Sequence, residues 1–310
     1  MQQRIKRRRV DGLLVVDKPL GWTSNKTLQK VRWLLKAKKG GHTGNLDPLA
    51  TGVLPLCFGD ATKFAQYGLD ADKTYVTRIQ LGERRSTGDA EGECLARASL
   101  PQLTAKKLEQ LLNEFTGHQK QVPPMYSALK HQGKKLYELA RAGQEIERPA
   151  RDIELHELRL LDWGEDFIEI QVHCSKGTYI RVLGEDLAKA LGTEGYLGSL
   201  RRIDSGDFNL SEALTLEALE KTWEEQGEAG VEALLQPVDQ LLQHLARVDL
   251  NSSQSRDLTH GQATDLLDTD LQIGENVRLY SDAQTFIGLG EIQQGSNSNF
   301  ALRPKKMCAS

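Results

Sequence analysis

Gly41-His42-Thr43-Gly44-Asn45-Leu46-Asp47-Pro48-Leu49-Ala50-Thr51-Gly52 is the stretch on which the reading of this chain turns. Its twelve residues hold three glycines, one proline, one histidine and one acid, and no Lys or Arg, although bases stand on both sides of it. A carboxylate among tight-turn residues, with hydroxyl and amide donors beside it, can be held rigidly at the floor of a cleft, as a catalytic acid must be. Read alone, an Asp before Pro is a turn former, or a helix N-cap with Pro at the first helical position. The rest of the chain decides between the two.

At 310 residues the chain can bury a sizeable core and hold a large and a small domain. Hydrophobic residues at 39% and charged ones at 27% place it among ordinary soluble globular proteins. The net charge of -3 hides an uneven distribution. Residues 1–10 carry five bases and no acid, whereas residues 204–239 carry ten acids against the single base Lys221. Such a basic front and acidic flank allow a polyanion to be met on one side only. Cys57, Cys94, Cys174 and Cys308 are far apart and form no CxxC pair, so neither a zinc site nor a disulfide framework is indicated by them. No apolar run reaches the length of a membrane span, and the four-residue run 13–16 is too short for a signal peptide, so a cytoplasmic location is expected.

Outward from the opening stretch, residues 1–10 read as a mobile basic arm suited to a phosphate backbone. Residues 12–17 read as a short buried strand ended by Pro19 and Gly21. Ser24 is expected to cap a helix with Leu28, Val31, Leu34 and Leu35 on one face and Lys26, Lys30, Arg32 and Lys36 on the other. That basic face runs toward the expected cleft. Residues 75–81 alternate as a strand with Tyr75, Thr77, Ile79 and Leu81 on one side, and 83–93 read as a loop. A helix follows Thr104; then residues 122–128 form a rigid extended piece. Next come the bases Lys130, Lys134 and Lys135 and a helix stopping at Gly143, an excursion with the character of a lid or clamp. Residues 167–174 alternate again and lead into a helix at whose start Arg181 stands. From about residue 247, short alternating segments (276–280, 285–291, 299–304) fit a small β-barrel-like appendage that depends on the larger domain.

Several spaced elements agree on one family. Lys18-Pro19 with Gly21 and Thr23-Ser24, the Gly41 to Gly52 stretch, Lys73-x-Tyr75, Tyr126-Ser127-Ala128-Leu129-Lys130, Ser175-Lys176-Gly177-Thr178-Tyr179-Ile180-Arg181 and Leu200-Arg201-Arg202 resemble the bacterial tRNA pseudouridine-55 synthases of the TruB family. The resemblance runs from about Gly12 to the C-terminus. It implies an α+β fold: a catalytic domain over 12–246 with a mixed, largely antiparallel sheet and an RNA-clamping insertion near 120–150. A basic arm (1–11) precedes it and a PUA-like barrel (247–310) follows. The resemblance makes Asp47 the catalytic carboxylate, Tyr75 the ring that stacks on uracil and takes part in proton removal, and Arg181 the partner of Asp47. His42 is implied to fill the space left by the flipped base, Lys18 and Leu200 to line the site, and Tyr179 and Lys130 to contact RNA. Asn45 stands where a small residue or Thr is more usual, which bears on loop packing rather than on the acid.

Turning uridine into its C-glycoside breaks N1–C1′, rotates the bound uracil and joins C5 to C1′. Nothing is added or oxidised, so no cofactor or metal is called for, and none of the familiar nucleotide fingerprints is present in the sequence. Attack on the sugar, attack on the base and removal of a sugar proton are all open to one ionised carboxylate. The implied partner is the T stem-loop of tRNA, met by a monomer. Two other readings compete: an RNA-binding or tRNA-folding chaperone acting without chemistry, and a guide-RNA-dependent pseudouridine synthase.

Overall fold

The computed structural model describes residues 6–266, 270–295 and 300–309. Among them a ten-stranded mixed sheet forms the scaffold. Across it the order is Leu214–Thr215, Gly12–Lys18, Ala50–Phe58, Gly195–Ser205, Lys73–Leu81, Phe167–Cys174, Arg151–Trp163 and Gly117–Gln121, with two short strands pairing off this path. Gly12–Lys18 pairs parallel to Leu214–Thr215 and Gly195–Ser205 parallel to Ala50–Phe58; the other pairings are antiparallel. Lys73–Leu81 lies inside the sheet, and its alternation is the one expected, with Tyr75, Thr77, Ile79 and Leu81 buried. Ile168, Ile170, Val172 and Cys174 on the next strand face the same core. Side chains of period two from adjacent strands thus build one apolar layer, against which the helix Ile180–Ala190 lays Ile180, Leu183 and Leu187.

Several local expectations change. Thr23, not Ser24, caps the helix Ser24–Leu34, its hydroxyl accepting the Lys26 N–H at 3.1 Å. Ser24 is fully buried and serves the Asp47 loop instead. Residues 83–93 are not wholly a loop, because Glu83–Arg85 pairs with Cys94–Arg97. The expected mobile arm is fixed where it is described: the Arg8 N–H donates to the Lys36 carbonyl, and the Lys38 N–H donates to the Arg8 carbonyl. Arg8 also binds Glu232 at 2.9 and 2.5 Å, and Val10 is buried. Arg4 lies outside the described residues.

The basic helix face is likewise not turned toward RNA as a whole. Helix Leu216–Glu232, the core of the acidic segment, packs on Ser24–Leu34, and there Lys30 pairs with Glu220, Lys36 with Glu228 and Trp33 with Trp223. Bases of the front and acids of the flank therefore pair with each other.

The described residues after Ala246 build a five-stranded sheet in the order Arg247–Asp249, Asn276–Tyr280, Phe286–Gln294, Phe300–Met307, Thr264–Leu266. Its path does not close among the described residues, so a closed barrel is not seen; Asn299, the start of the last expected strand, lies outside them. Its small core of Leu250, Leu258, Val277, Leu279, Ile292 and Leu302 is supplemented by docking. Phe286 and Leu289 pack with Phe64 and Leu13 of the larger domain. Buried Asp239 receives Arg278 at 3.1 Å and the Tyr280 hydroxyl at 2.5 Å.

Candidate active site

The Asp47 loop leaves strand Gly40–His42 and returns into Ala50–Phe58. Hydrogen bonds to its backbone hold it. The Ser24 hydroxyl accepts the Leu46 N–H at 2.8 Å and donates to the Leu46 carbonyl at 3.1 Å, so one buried side chain fixes both polar groups of the residue before Asp47. The Gly21 N–H donates to the Pro48 carbonyl at 2.8 Å, and the Ala50 N–H to the Asp47 carbonyl at 3.0 Å. Asp47-Pro48 is thus a turn rather than the start of a helix. Gly52 completes the loop at φ +104, where a Cβ would sit 2.1 Å from the Arg202 carbonyl; only glycine lets the parallel strands approach there.

Arg181 sits in the first turn of helix Ile180–Ala190, preceded by a backbone anchor. Gln121 accepts the Tyr179 N–H at 2.8 Å and donates to the Tyr179 carbonyl at 3.1 Å. The Arg181 side chain, 7% exposed, reaches Asp47 Oδ2 at 2.9 Å. Its guanidinium also donates to the Thr87 carbonyl at 2.9 Å and the Tyr126 carbonyl at 2.6 Å. A second carboxylate, Asp89, lies 3.9 Å from Nε and is itself held by the Thr87 hydroxyl at 2.5 Å and the Glu91 N–H at 3.1 Å. The planar fork therefore has its direction set on several sides before it meets Asp47. The Asp47 side chain is 37% exposed, open to the cleft on one side and walled by protein on the others. Burial pushes its carboxyl above the usual carboxylate range, and Arg181 pulls it back toward ionisation.

Asp47, Tyr75, Tyr179, Arg181 and Leu200 line one cleft of about 250 Å³, together with Lys73, Ser127 and Arg202. Tyr75 is 8% exposed, its hydroxyl raised by burial and facing the Arg202 guanidinium, which lowers it again. Arg202 is itself buried and donates through Nε to the Val53 carbonyl at 2.7 Å. Lys73 is held by the Leu69 and Ala71 carbonyls at 2.8 and 2.5 Å, and burial pushes its ammonium down to about 8.

Three expected residues stand apart from this lining. Lys18 is fully buried, its Nζ on the Pro19 and Trp22 carbonyls at 3.0 and 2.5 Å; burial lowers it to about 8, while Asp47 draws it upward. His42 lies on its short strand before the loop, with Nδ1 buried and no hydrogen bond to it, and burial lowers its imidazole so that the neutral form is favoured. Lys130 is on an exposed hairpin, Lys130–His131 with Lys134–Lys135, that turns through Gln132 at φ 48 and Gly133 at φ 85. Sequence reasoning did not single out Ser24 as a loop clamp, nor Gln121, Thr87 or Asp89. Gln121 and Thr87 carry no local signature, since they act on backbone groups far away in the chain. The Lys-x-Tyr and Arg201-Arg202 motifs were the signals that could have found Lys73 and Arg202.

Three family models cover nearly all of the chain. The model of the N-terminal domain of TruB family pseudouridylate synthases matches residues 32–180, that of the tRNA pseudouridylate synthase B C-terminal domain matches 181–243, and that of the pseudouridine synthase II TruB C-terminal region matches 246–307. The chain is 50% identical over 288 residues to tRNA pseudouridine synthase B of Stutzerimonas stutzeri (strain A1501), covering 93% of each. It is 47% identical to the protein of the same name from Azoarcus sp. (strain BH72), covering 100% of this chain and 98% of that one. Among solved structures, a chain of a Cbf5-Nop10-Gar1 complex matches with a TM-score of 0.72 at 26% identity, covering 96% of this chain and 85% of that one. The fold is that of pseudouridine synthases, and the chain belongs to the TruB family of pseudouridylate synthases.

Proposed function

We propose that the uridine isomerised by this chain is the one at position 55 in the T-loop of tRNA, and that Asp47 is the catalytic carboxylate. Family membership makes the chain a tRNA pseudouridine synthase, an isomerase. The observation that carries the residue assignment is the 2.9 Å contact of Asp47 with Arg181 at the floor of a cleft that also presents the Tyr75 ring. Such a cleft gives an extruded base a carboxylate and an aromatic face together. Extrusion costs a few kcal/mol, about what stacking on one aromatic ring returns, roughly 1–3 kcal/mol.

In this reading Arg181 keeps Asp47 ionised against burial and aims its free oxygen at the nucleoside. The carboxylate promotes rupture of N1–C1′; the uracil turns on the Tyr75 face while enclosed; C5 then bonds to C1′, the C5 proton leaves by way of the Tyr75 hydroxyl, and N1, freed from the sugar, takes up a proton in its place. Substrate RNA is gripped by the exposed insertion around Lys130, whose root is joined to Arg181 through the Tyr126 carbonyl. We place the boundary between catalytic and C-terminal units near residue 246, with the latter a PUA-like RNA-binding module, and we take the protein to act as a monomer in the cytoplasm. Purified protein incubated with unmodified tRNA alone tests the proposal: pseudouridine mapped at position 55 is the expected result. Modification elsewhere, or only on addition of a guide RNA or partner proteins, would overturn it.

A further inference from the structure

On the outer face of the sheet, away from Asp47, three side chains distant in sequence converge. Asp72 precedes strand Lys73–Leu81, His156 lies in Arg151–Trp163 and His173 in Phe167–Cys174. One ligating atom from each lies within 4.8 Å of the others. The convergence has a backbone cause. Leu155 pairs with Cys174 and Glu157 with His173, so His156 is an extra residue, a bulge, opposite that step of the neighbouring strand. A bulge re-aims the side chain it carries. Here it brings the His156 ring to 4.8 Å from the His173 ring, centroid to centroid. Asp72 is tethered independently, since its carbonyl accepts the Gly206 N–H at 2.9 Å.

We propose that Asp72, His156 and His173 form a binding site for one divalent transition-metal ion of the zinc class, fastening the ends of strands Lys73–Leu81 and Phe167–Cys174 to the bulge inside Arg151–Trp163. His156 Nε2 lies 3.1 Å from Asp72 Oδ2, yet it is shielded from solvent and makes no aligned hydrogen bond. Two ligand atoms at 2.0–2.1 Å from a tetrahedral ion are held about 3.3 Å apart, close to that spacing. Glu154 Oε1, 3.7 Å from His156 Nδ1, is placed to orient the ring from behind, as outer carboxylates do for metal-bound imidazoles. Two imidazoles and one carboxylate favour zinc-class ions over magnesium or calcium, which take oxygen ligands. The site borders the cleft through the chain itself: Lys73 follows Asp72, and Cys174 and Ser175 follow His173. Its role is to stiffen those strand ends, not to take part in the isomerisation.

Full-length protein stripped with a chelator and titrated with Zn²⁺ by calorimetry is expected to take up one ion per chain that depends on these residues. His156→Gln and His173→Gln each weaken that uptake at least about 10-fold, and Mg²⁺ gives no heat. The thermal midpoint of the wild type rises with Zn²⁺ and that of the two variants does not, while all three unfold alike in chelator, which separates lost binding from lost folding. Co²⁺ in place of Zn²⁺ gives visible absorption of a tetrahedral site in the wild type only. Absence of uptake by the wild type, or uptake unchanged in both variants, overturns the proposal and leaves a simple histidine–carboxylate pair. Variants that already unfold early in chelator are replaced by Asp72→Asn, at an exposed position, and unchanged uptake there overturns it equally.

Discussion

Around Asp47, Ser24 holds both polar groups of Leu46, Gly21 and Ala50 hold the carbonyls of Pro48 and Asp47, and four partners surround the Arg181 guanidinium. The hairpin carrying Lys130 and Lys134 is the reverse: exposed, two residues to a strand, and turned outward on Gln132 and Gly133. A third region, the bases of helix Ser24–Leu34 and of the turn after it, resembles the hairpin in composition but has Lys30 paired with Glu220 and Lys36 with Glu228. Rigid hydrogen bonding suits a group that, in the proposed reaction, keeps its aim through bond rupture. Solvated lysines suit contact with a phosphate backbone, because their counterions are displaced on binding. Equal charge runs in a sequence can therefore do unrelated work, depending on what faces them.

Substitutions at the floor should act on rate and those at the hairpin on binding. The largest effect is expected from Arg181→Lys. A point charge cannot make the guanidinium's directed contacts to Thr87, Tyr126 and Asp47 at once, and the single-turnover rate falls about 10²-fold or more while tRNA affinity stays within a few-fold; a rate near wild type would break the comparison. Tyr75→Phe keeps the stacking face and removes the hydroxyl, so binding is spared and the rate falls about 10²-fold, measured by single-turnover formation of pseudouridine. Ser24→Ala leaves the buried Leu46 N–H without its partner and costs roughly 1–3 kcal/mol in chemical denaturation, with a slower turnover as the loop loosens. The smallest effect separates the two basic regions. Lys130→Ala with Lys134→Ala weakens tRNA binding several-fold and flattens its salt dependence by about one to two units of slope, whereas Lys36→Ala changes stability by about 0–1 kcal/mol and leaves the salt slope alone.

Much of the scaffold was legible because its signals are local. Alternation over 75–81 and 167–174 places the core face of two neighbouring strands, and the apolar spacing after Arg181 places its helix. Spaced motifs also named Asp47, Tyr75 and Arg181, which the fold gathers from three elements into one cleft. What escaped depends on contacts between segments distant in the chain. Ser24 has the look of a cap, and only the arrival of Leu46 gives it other work, while Thr23, one residue earlier, takes the cap. The pairing of Lys36 with Glu228 spans nearly two hundred residues of chain and leaves no trace in either segment alone. Asp89 and Gln121 act on Arg181 and Tyr179 from a loop and an edge strand, where nothing in the neighbouring sequence marks them.

Catalysis by the Asp47 carboxylate is tested most directly by single-turnover pseudouridine formation in unmodified tRNA by Asp47→Asn, with tRNA affinity determined on the same preparation. The side chain that replaces it keeps the size and can still face Arg181 but carries no charge. The predicted result is no detectable pseudouridine with affinity within a few-fold of wild type. Product formation by the variant at a rate within a few-fold of wild type would contradict it.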